Sequence, residues 1–160
     1  MKIKSKLVNT ERALDVVYID VEEENEISGK QINHVHAYCF YKDKLVIVHD
    51  KLGHWTLPGG SVESCESFRG ATIREVKEES NMRVIYLKLL GYQDITENGK
   101  IIRQTRSVCT VEPYGNFESD PDGDIDAIKL VDPKDLKSYV DWGVIGDYLL
   151  KRACEEKERF

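Results

Sequence analysis

The chain has 160 residues, 41% hydrophobic and 32% charged, with a net charge of −6. That length and mixture suit one soluble globular domain over residues 1–160, and the acidic balance argues against dependence on a long nucleic acid, whose binding rests on many lysine and arginine contacts. The first six residues lack the apolar run of a signal peptide, no stretch approaches a membrane span, and Cys39, Cys65, Cys109 and Cys154 are too scattered for a zinc or redox motif, so free thiols in a reducing cytoplasm are expected.

Residues 14–21 alternate and are rich in β-branched side chains with Tyr18, which predicts a strand. The polar stretch 22–30, holding Gly29, reads as a turn or loop. Residues 35–41 and 45–49 are apolar runs separated by Lys42, Asp43 and Lys44, the pattern of a hairpin. Residues 55–60 lead towards a helix expected over 66–80. Residues 84–96 and 101–112 flank Asn98 and Gly99, a pair that accepts positive φ at both positions of a type I′ turn. A short strand is expected over 125–131, and Asp132-Pro133 has the form of an N-cap followed by proline at the first helical position. Val144, Ile145, Tyr148 and Leu149 recur at helical spacing within 142–152, while the charged tail 155–160 is expected to fray. Strands joined mostly by hairpins, with two main helices, give an α+β domain.

The chemistry concentrates on the first helix. Glu75, Glu78 and Glu79 stand at i, i+3 and i+4, so one helix face carries all three acids. Their repulsion costs roughly 0.2–0.5 kcal/mol per pair. A multivalent cation would reverse that sign, and hard carboxylate oxygens suit Mg²⁺. Phe68 and Ala71 share the same arc, which favours a face that begins against protein and opens into a cleft. Arg74 offers a planar fork that grips carboxylates. The bland alternative is a solvated acidic face with Arg74 in a surface salt bridge worth under about 1 kcal/mol. The turn-forming Pro58, Gly59 and Gly60, at a fixed interval upstream, argue against it.

This segment resembles the Nudix box. Gly60, Glu66, Arg74, Glu75, the aliphatic Val76, Glu78, Glu79 and the aliphatic Met82 fall at the family's intervals, and Trp55-Thr56-Leu57-Pro58-Gly59 is its usual approach. Asn81 stands where the family has glycine. Asparagine tolerates left-handed backbone, so the helix stop is expected to survive. The resemblance implies an α/β/α sandwich with a mixed central β-sheet. It also implies Mg²⁺-dependent hydrolysis, with Mn²⁺ as a substitute, of a diphosphate bond in a nucleoside diphosphate linked to another group. By resemblance Glu75, Glu78, Glu79 and the carbonyl of Gly59 hold the metal, Arg74 orients Glu75, and Glu66 braces the segment. With the family's subtype marks absent, a nucleoside triphosphate or related nucleotide leads by elimination. Two alternatives share the fold: a non-catalytic sensor of a nucleotide or ADP-ribose-type ligand, and an RNA 5′-end pyrophosphohydrolase, which the lack of a basic cluster disfavours. Association as a homodimer is left open.

Several residues outside the box carry competing roles. Glu118, Asp120, Asp122, Asp124 and Asp126 recur at every second position, and one of them, or Glu75, is the candidate general base. A calcium loop is excluded because Lys129 stands where a bidentate glutamate is needed. Glu63 reads as a capping or supporting acid. His34 and His36 share a strand face and are expected beside a substrate pocket rather than on a metal. Arg103 and Arg106 lie on opposite faces of their strand, and Arg103 is the candidate phosphate contact. Trp55 is either a stacking platform for a base or a packing residue.

Overall fold

The computed structural model describes residues 1–9 and 12–160. Its strands are β1 (Lys2–Asn9), β2 (Arg12–Asp20), β3 (His34–Tyr41), β4 (Lys44–Asp50), β5 (Trp55–Thr56), β6 (Gly59–Ser61), β7 (Met82–Glu97), β8 (Lys100–Pro113) and β9 (Ile125–Val131). The α-helices are α1 (Phe68–Ser80) and α2 (Gly143–Lys157), with 3-10 turns at Glu24–Ile27 and Pro133–Ser138.

Local turn chemistry draws much of the sheet. Asn98 and Gly99 take φ of 50° and 74°, turning β7 directly back into β8. Lys42, at φ 54°, does the same between β3 and β4. The sheet runs β1-β2-β7-β8-β3-β4-β5, with β6 joined to β3 and β9 to β4. Only the β3–β8 pair is parallel among the described strands, so the sheet is mixed.

The path of β3 positions the site. His34, Val35 and His36 pair with β6, whereas Cys39, Phe40 and Tyr41 pair with β4. At the fork the Pro58 carbonyl accepts a hydrogen bond from the Ala37 amide at 3.0 Å. Both faces of β3 are covered, which is why its side chains are nearly all apolar beyond the two histidines. Ala37 and Cys39 pack with Val46, Cys109 and Val76 of α1. Tyr38 and Phe40 pack on the other side with Leu45, Ile145 and Leu149, the last two from α2. The helices therefore lie on opposite faces, giving the α/β/α sandwich. Arg152 of α2 reaches across to ion-pair with Asp20 and donates to the Leu90 carbonyl. Burial pushes the Asp20 pKa up, but hydrogen bonds from Tyr148 and Tyr18 and the charge of Arg152 outweigh it and hold the carboxyl below its ordinary range.

Three features depart from the pattern expected of the sequence. β1 pairs along β2 from Lys2↔Ile19 to Asn9↔Arg12, an edge strand whose exposed Lys2, Lys4 and Lys6 discourage further pairing. Alternation of lysine with Ile3, Ser5 and Leu7 gives this strand only a faint hydrophobic signal in the sequence. The C-terminal tail is helical to Lys157 instead of fraying, because buried Glu156 bonds Lys88 and Arg159 and Phe160 packs on Tyr86. α1 starts at Phe68 rather than at 66, since Ser67 is the N-cap and accepts from the Gly70 amide at 3.0 Å. Among the described residues no helix is long and apolar enough to cross a membrane.

α1 stops at Asn81, in the left-handed region at φ 54°, ψ 38°. Its side chain then does something a glycine cannot, Nδ2 donating to the Asn116 carbonyl at 3.0 Å, and its backbone carbonyl, as any residue's would, accepts from the Tyr114 amide at 3.0 Å. The loop after β8 is thereby tied to the end of α1. Asn81→Gly relieves the left-handed strain but removes one hydrogen bond, so global stability should stay within about 1 kcal/mol. Amide exchange of residues 114–118 should nevertheless speed up; unchanged exchange there would show that the loop does not depend on this side chain.

Candidate active site

Helix capping at Ser67 and Asn81 fixes α1 so that one face meets the β3–β6 fork. Ala71 is fully buried on that face and Glu75 is 9% exposed, so the acidic arc rises out of the core. Arg74 organises it. Its Nε and one terminal nitrogen hold both oxygens of Glu66 at 2.9 and 3.0 Å. Its other terminal nitrogen donates to Glu75 at 2.8 Å and Glu78 at 3.2 Å, and the Ser61 carbonyl takes a further bond at 2.9 Å. These partners hold the guanidinium pKa above its ordinary value, the Glu66 hydrogen bonds contributing most and burial opposing them. Glu63 lies 3.9 Å from the Arg74 Nε. Glu66 also accepts from the Glu63 amide at 3.0 Å, which closes the loop ahead of α1.

The two glycines are required by contact. A Cβ on Gly60 would lie 2.4 Å from a Glu75 oxygen, and one on Gly59 2.0 Å from the Val35 carbonyl. The Gly59 amide donates to Glu79 Oε2 at 3.0 Å. Glu79 is the most perturbed acid. Burial pushes its pKa up to about 8, Glu75, Asp120 and Asp124 push in the same direction, and the Gly59 amide only partly opposes them. Glu75 is also raised, first by burial and then by Glu78 and Asp122, against the pull of Arg74.

The acids of the loop after β8 divide by role. Asp120 is 6% exposed and accepts from the amides of Asp122, Asp124 and Ile125, so it shapes the loop. Asp126 lies beyond that loop, in β9, and is bound to His49 at 2.7 Å. Asp122 and Asp124 are exposed and near enough to act on Glu75 and Glu79. Glu118 faces a groove of about 810 Å³ shared with Arg74, Lys77, Glu78 and Asn81.

Among the described residues no three acids or histidines converge as a ready-made metal cage. Arg74 stands between Glu75 and Glu78 instead. The donor set nonetheless fits a hard divalent cation: carboxylate oxygens crowd one helix face, and Glu79 and Glu75 hold their protons beyond the usual range, first through burial and then through the neighbouring acids. Glu75, Glu78 and Glu79 are the residues that would hold it.

The remaining sequence candidates lie elsewhere in the fold. Arg103 grips Asp94 through two bonds of 2.7 Å and sits over Tyr92, so its fork is occupied. Trp55 is half-buried, edge-on to Tyr139 and beneath Lys129. His36 pairs with Gly59 across the β3–β6 ladder, and with buried Arg106 it lines a cavity of about 220 Å³ on the α2 side of the sheet. The same cavity contains Gln93, Gln104 and Trp142, none of which carried a motif in the sequence. One strand thus separates this cavity from Glu79.

The Glu79 shift has a measurable consequence in metal-free protein. The unfolded carboxyl releases its proton near pH 4.5, while the folded one holds it to about pH 8. The native state therefore binds more protons across that window, and stability falls as pH rises through it. Glu79→Gln removes the penalty. In chelator at pH 8 the variant should be more stable than the parent in urea unfolding, with the two converging near pH 4.5. A variant less stable at pH 8 would contradict this electrostatic picture.

Comparison with known proteins agrees with the fold and the box. The family model for the NUDIX domain matches residues 30–151. The putative 8-oxo-dGTP diphosphatase YtkD of Bacillus subtilis is 36% identical over 69 residues, covering 43% of this chain and 44% of that protein, so the match spans under half of either. The crystal structure of the Bacillus subtilis pyrophosphohydrolase BsRppH superposes with a TM-score of 0.74 at 21% identity, over 89% of this chain and 92% of that one. A Caenorhabditis elegans (C. elegans) Ap4A hydrolase superposes at 0.63 with 17% identity, over 81% and 100% of the two chains. At such identities the superpositions establish the fold, and the family model, matched across most of the chain, establishes the lineage: the chain belongs to the Nudix family.

Proposed function

We propose that this protein hydrolyses a diphosphate bond in a nucleotide, with a divalent cation held by Glu75, Glu78 and Glu79 and a nucleoside triphosphate as the leading substrate class. The observation that carries this is Glu79: a half-buried carboxylate pushed up to about 8 and held by the Gly59 amide, one residue from Glu78 and beside Glu75, on a helix face that gains nothing from such crowding without a cation. When bound, Mg²⁺ or Mn²⁺ supplies charge neutralisation for the phosphates and acidifies a water molecule.

The chain's own residues supply position and proton transfer. Arg74 holds Glu75 and Glu78 apart and braces them against Glu66 and the Ser61 carbonyl. Gly59 and Gly60 keep the β6 backbone close to Glu79 and Glu75, leaving no room for side chains between them. The proton of the attacking water goes to Glu75 or to an exposed acid of the loop after β8, Asp122, Asp124 or Glu118; Asp120 and Asp126 are occupied by backbone amides and by His49. The products are a nucleotide shortened by the cleavage and the released phosphate or diphosphate. The activities named for YtkD and BsRppH support this class of substrate. The free cysteines, two of them buried, suit the reducing cytoplasm in which we place the protein.

Phosphate release from a panel of nucleoside triphosphates with Mg²⁺ tests the proposal. Glu79→Gln should lower kcat by at least about 100-fold, on the order of 3 kcal/mol of barrier, while the circular dichroism spectrum is unchanged. Turnover within tenfold of the parent would remove Glu79 from the reaction. Nucleotide binding without any hydrolysis would favour a sensor instead.

A further inference from the structure

We infer that Asn81 is a positioning residue for turnover: its side chain holds the loop after β8 at the distance from α1 at which Glu118 stands across the groove from Glu78. This rests on the hydrolysis proposed above. Ending the helix does not need that side chain. The cap is made by the Asn81 backbone, whose N–H donates to the Lys77 carbonyl at 2.8 Å. A glycine would make the same bond and would enter the left-handed region without steric cost. What asparagine adds at φ 54° is its amide.

That amide serves the loop. Among the described residues, every hydrogen bond tying residues 114–119 to the rest of the fold ends on Asn81: the Tyr114 amide donates to its carbonyl, and its Nδ2 donates to the Asn116 carbonyl, both at 3.0 Å. Lys77 and Arg83 lie over the Tyr114 ring, 5.2 and 6.0 Å from its centre, and so steady only the first residue of the stretch. Phe117, Glu118 and Ser119 have no hydrogen bond or ion pair among the described residues. The next anchor is Asp120, whose carboxylate gathers the amides of Asp122, Asp124 and Ile125, while the Asp124 carbonyl accepts from the Lys51 amide at 3.0 Å. Glu118 is midway between Asn116 and Asp120. Losing the Asn81 bond therefore frees one side of the span that carries it.

The groove between this loop and α1 holds about 810 Å³. Arg74, Lys77 and Glu78 line its helix side and Glu118 and Ser119 its loop side, with Asn81 and Asn116 also in the lining. The Asn81–Asn116 bond joins the two walls directly, so one hydrogen bond sets their separation there. The volume lies within the ~300–1,000 Å³ range of ligand sites, which leaves room for substrate between Glu118 and Glu78. Of the acids proposed to take the proton from water, Glu118 is the one on this span. A reacting group displaced by about 1 Å can lose on the order of 100-fold in rate. α1 itself is held by its own caps at Ser67 and at the Asn81 backbone, so its acids stay in place when the loop moves. Asn81 therefore acts on the chemical step and not on capture of the nucleotide.

Steady-state kinetics with Mg²⁺, on whichever nucleoside triphosphate the parent cleaves fastest, test it. Asn81→Gly keeps the cap and removes the tie, so kcat should fall about tenfold or more. KM should stay within about twofold, the pattern of an interaction lost only in the transition state. In a Glu118→Gln background the same substitution should cost less than about twofold more, because the group it positions is already disabled. A general loss of structure would instead cost the same in both backgrounds. An unchanged kcat in Asn81→Gly, a rise in KM alone, or full additivity with Glu118→Gln overturns the assignment. The failures are distinguishable. A parent that releases no phosphate from any nucleotide sinks the hydrolase and this role with it. An active parent indifferent to Asn81→Gly sinks this role alone.

Discussion

Like charges forced together on one face of α1 are the constraint around which the rest of the structure is arranged. Glu75, Glu78 and Glu79 cannot spread apart, because the helix fixes their spacing and Ala71 and Val76 bury the turns beneath them. Arg74 is the one cation at their centre, and its fork is shared among Glu66, Glu75 and Glu78. Among the described residues Glu79 receives no cation, and it relies on the Gly59 amide. That leaves the face short of positive charge, and the neighbouring acids add to the burial that raises the pKa values of Glu79 and Glu75. A divalent cation is the species whose charge and ligand preference match what is missing.

The β3 fork sets two different environments on the two faces of one sheet. Where β3 leaves β6 for β4, the Gly59-Gly60 backbone lies in the sheet with Glu75 and Glu79 on one side and His36 on the other. Acids lie on the α1 face, and buried Arg106 lies with His36 on the α2 face. A larger residue at Gly59 or Gly60 would meet backbone or carboxylate within 2.4 Å and force them apart.

Much of this was legible in the sequence, and the limits have physical causes. The Asn98-Gly99 turn, the hairpin at Lys42 and the Asp132-Pro133 cap rest on local chemistry, and the structure has all three. The acid face of α1 was legible because helical spacing is rigid. β1 was hidden because an edge strand of alternating lysine has little hydrophobic signal. The helical tail depends on Glu156 meeting Lys88, a contact 68 residues away in sequence. Arg103 and Arg106 look alike as residues of one strand. Only the fold gives Arg103 an acid, Asp94, and leaves Arg106 buried without one among the described residues. Likewise, left-handed backbone at Asn81 follows from its residue type, but its bond to Asn116 does not.

The central claim is that the acids of α1 and the phosphates of a nucleotide share a cation. Titration calorimetry of a non-hydrolysable nucleoside triphosphate, in Mg²⁺ and again in chelator, tests it most directly. Coupling through a shared ion requires each ligand to tighten the other by the same factor. The account predicts nucleotide affinity at least about tenfold higher with Mg²⁺, a coupling of roughly 1.4 kcal/mol or more, with Glu79→Gln erasing the difference. Equal affinity in Mg²⁺ and in chelator would contradict it.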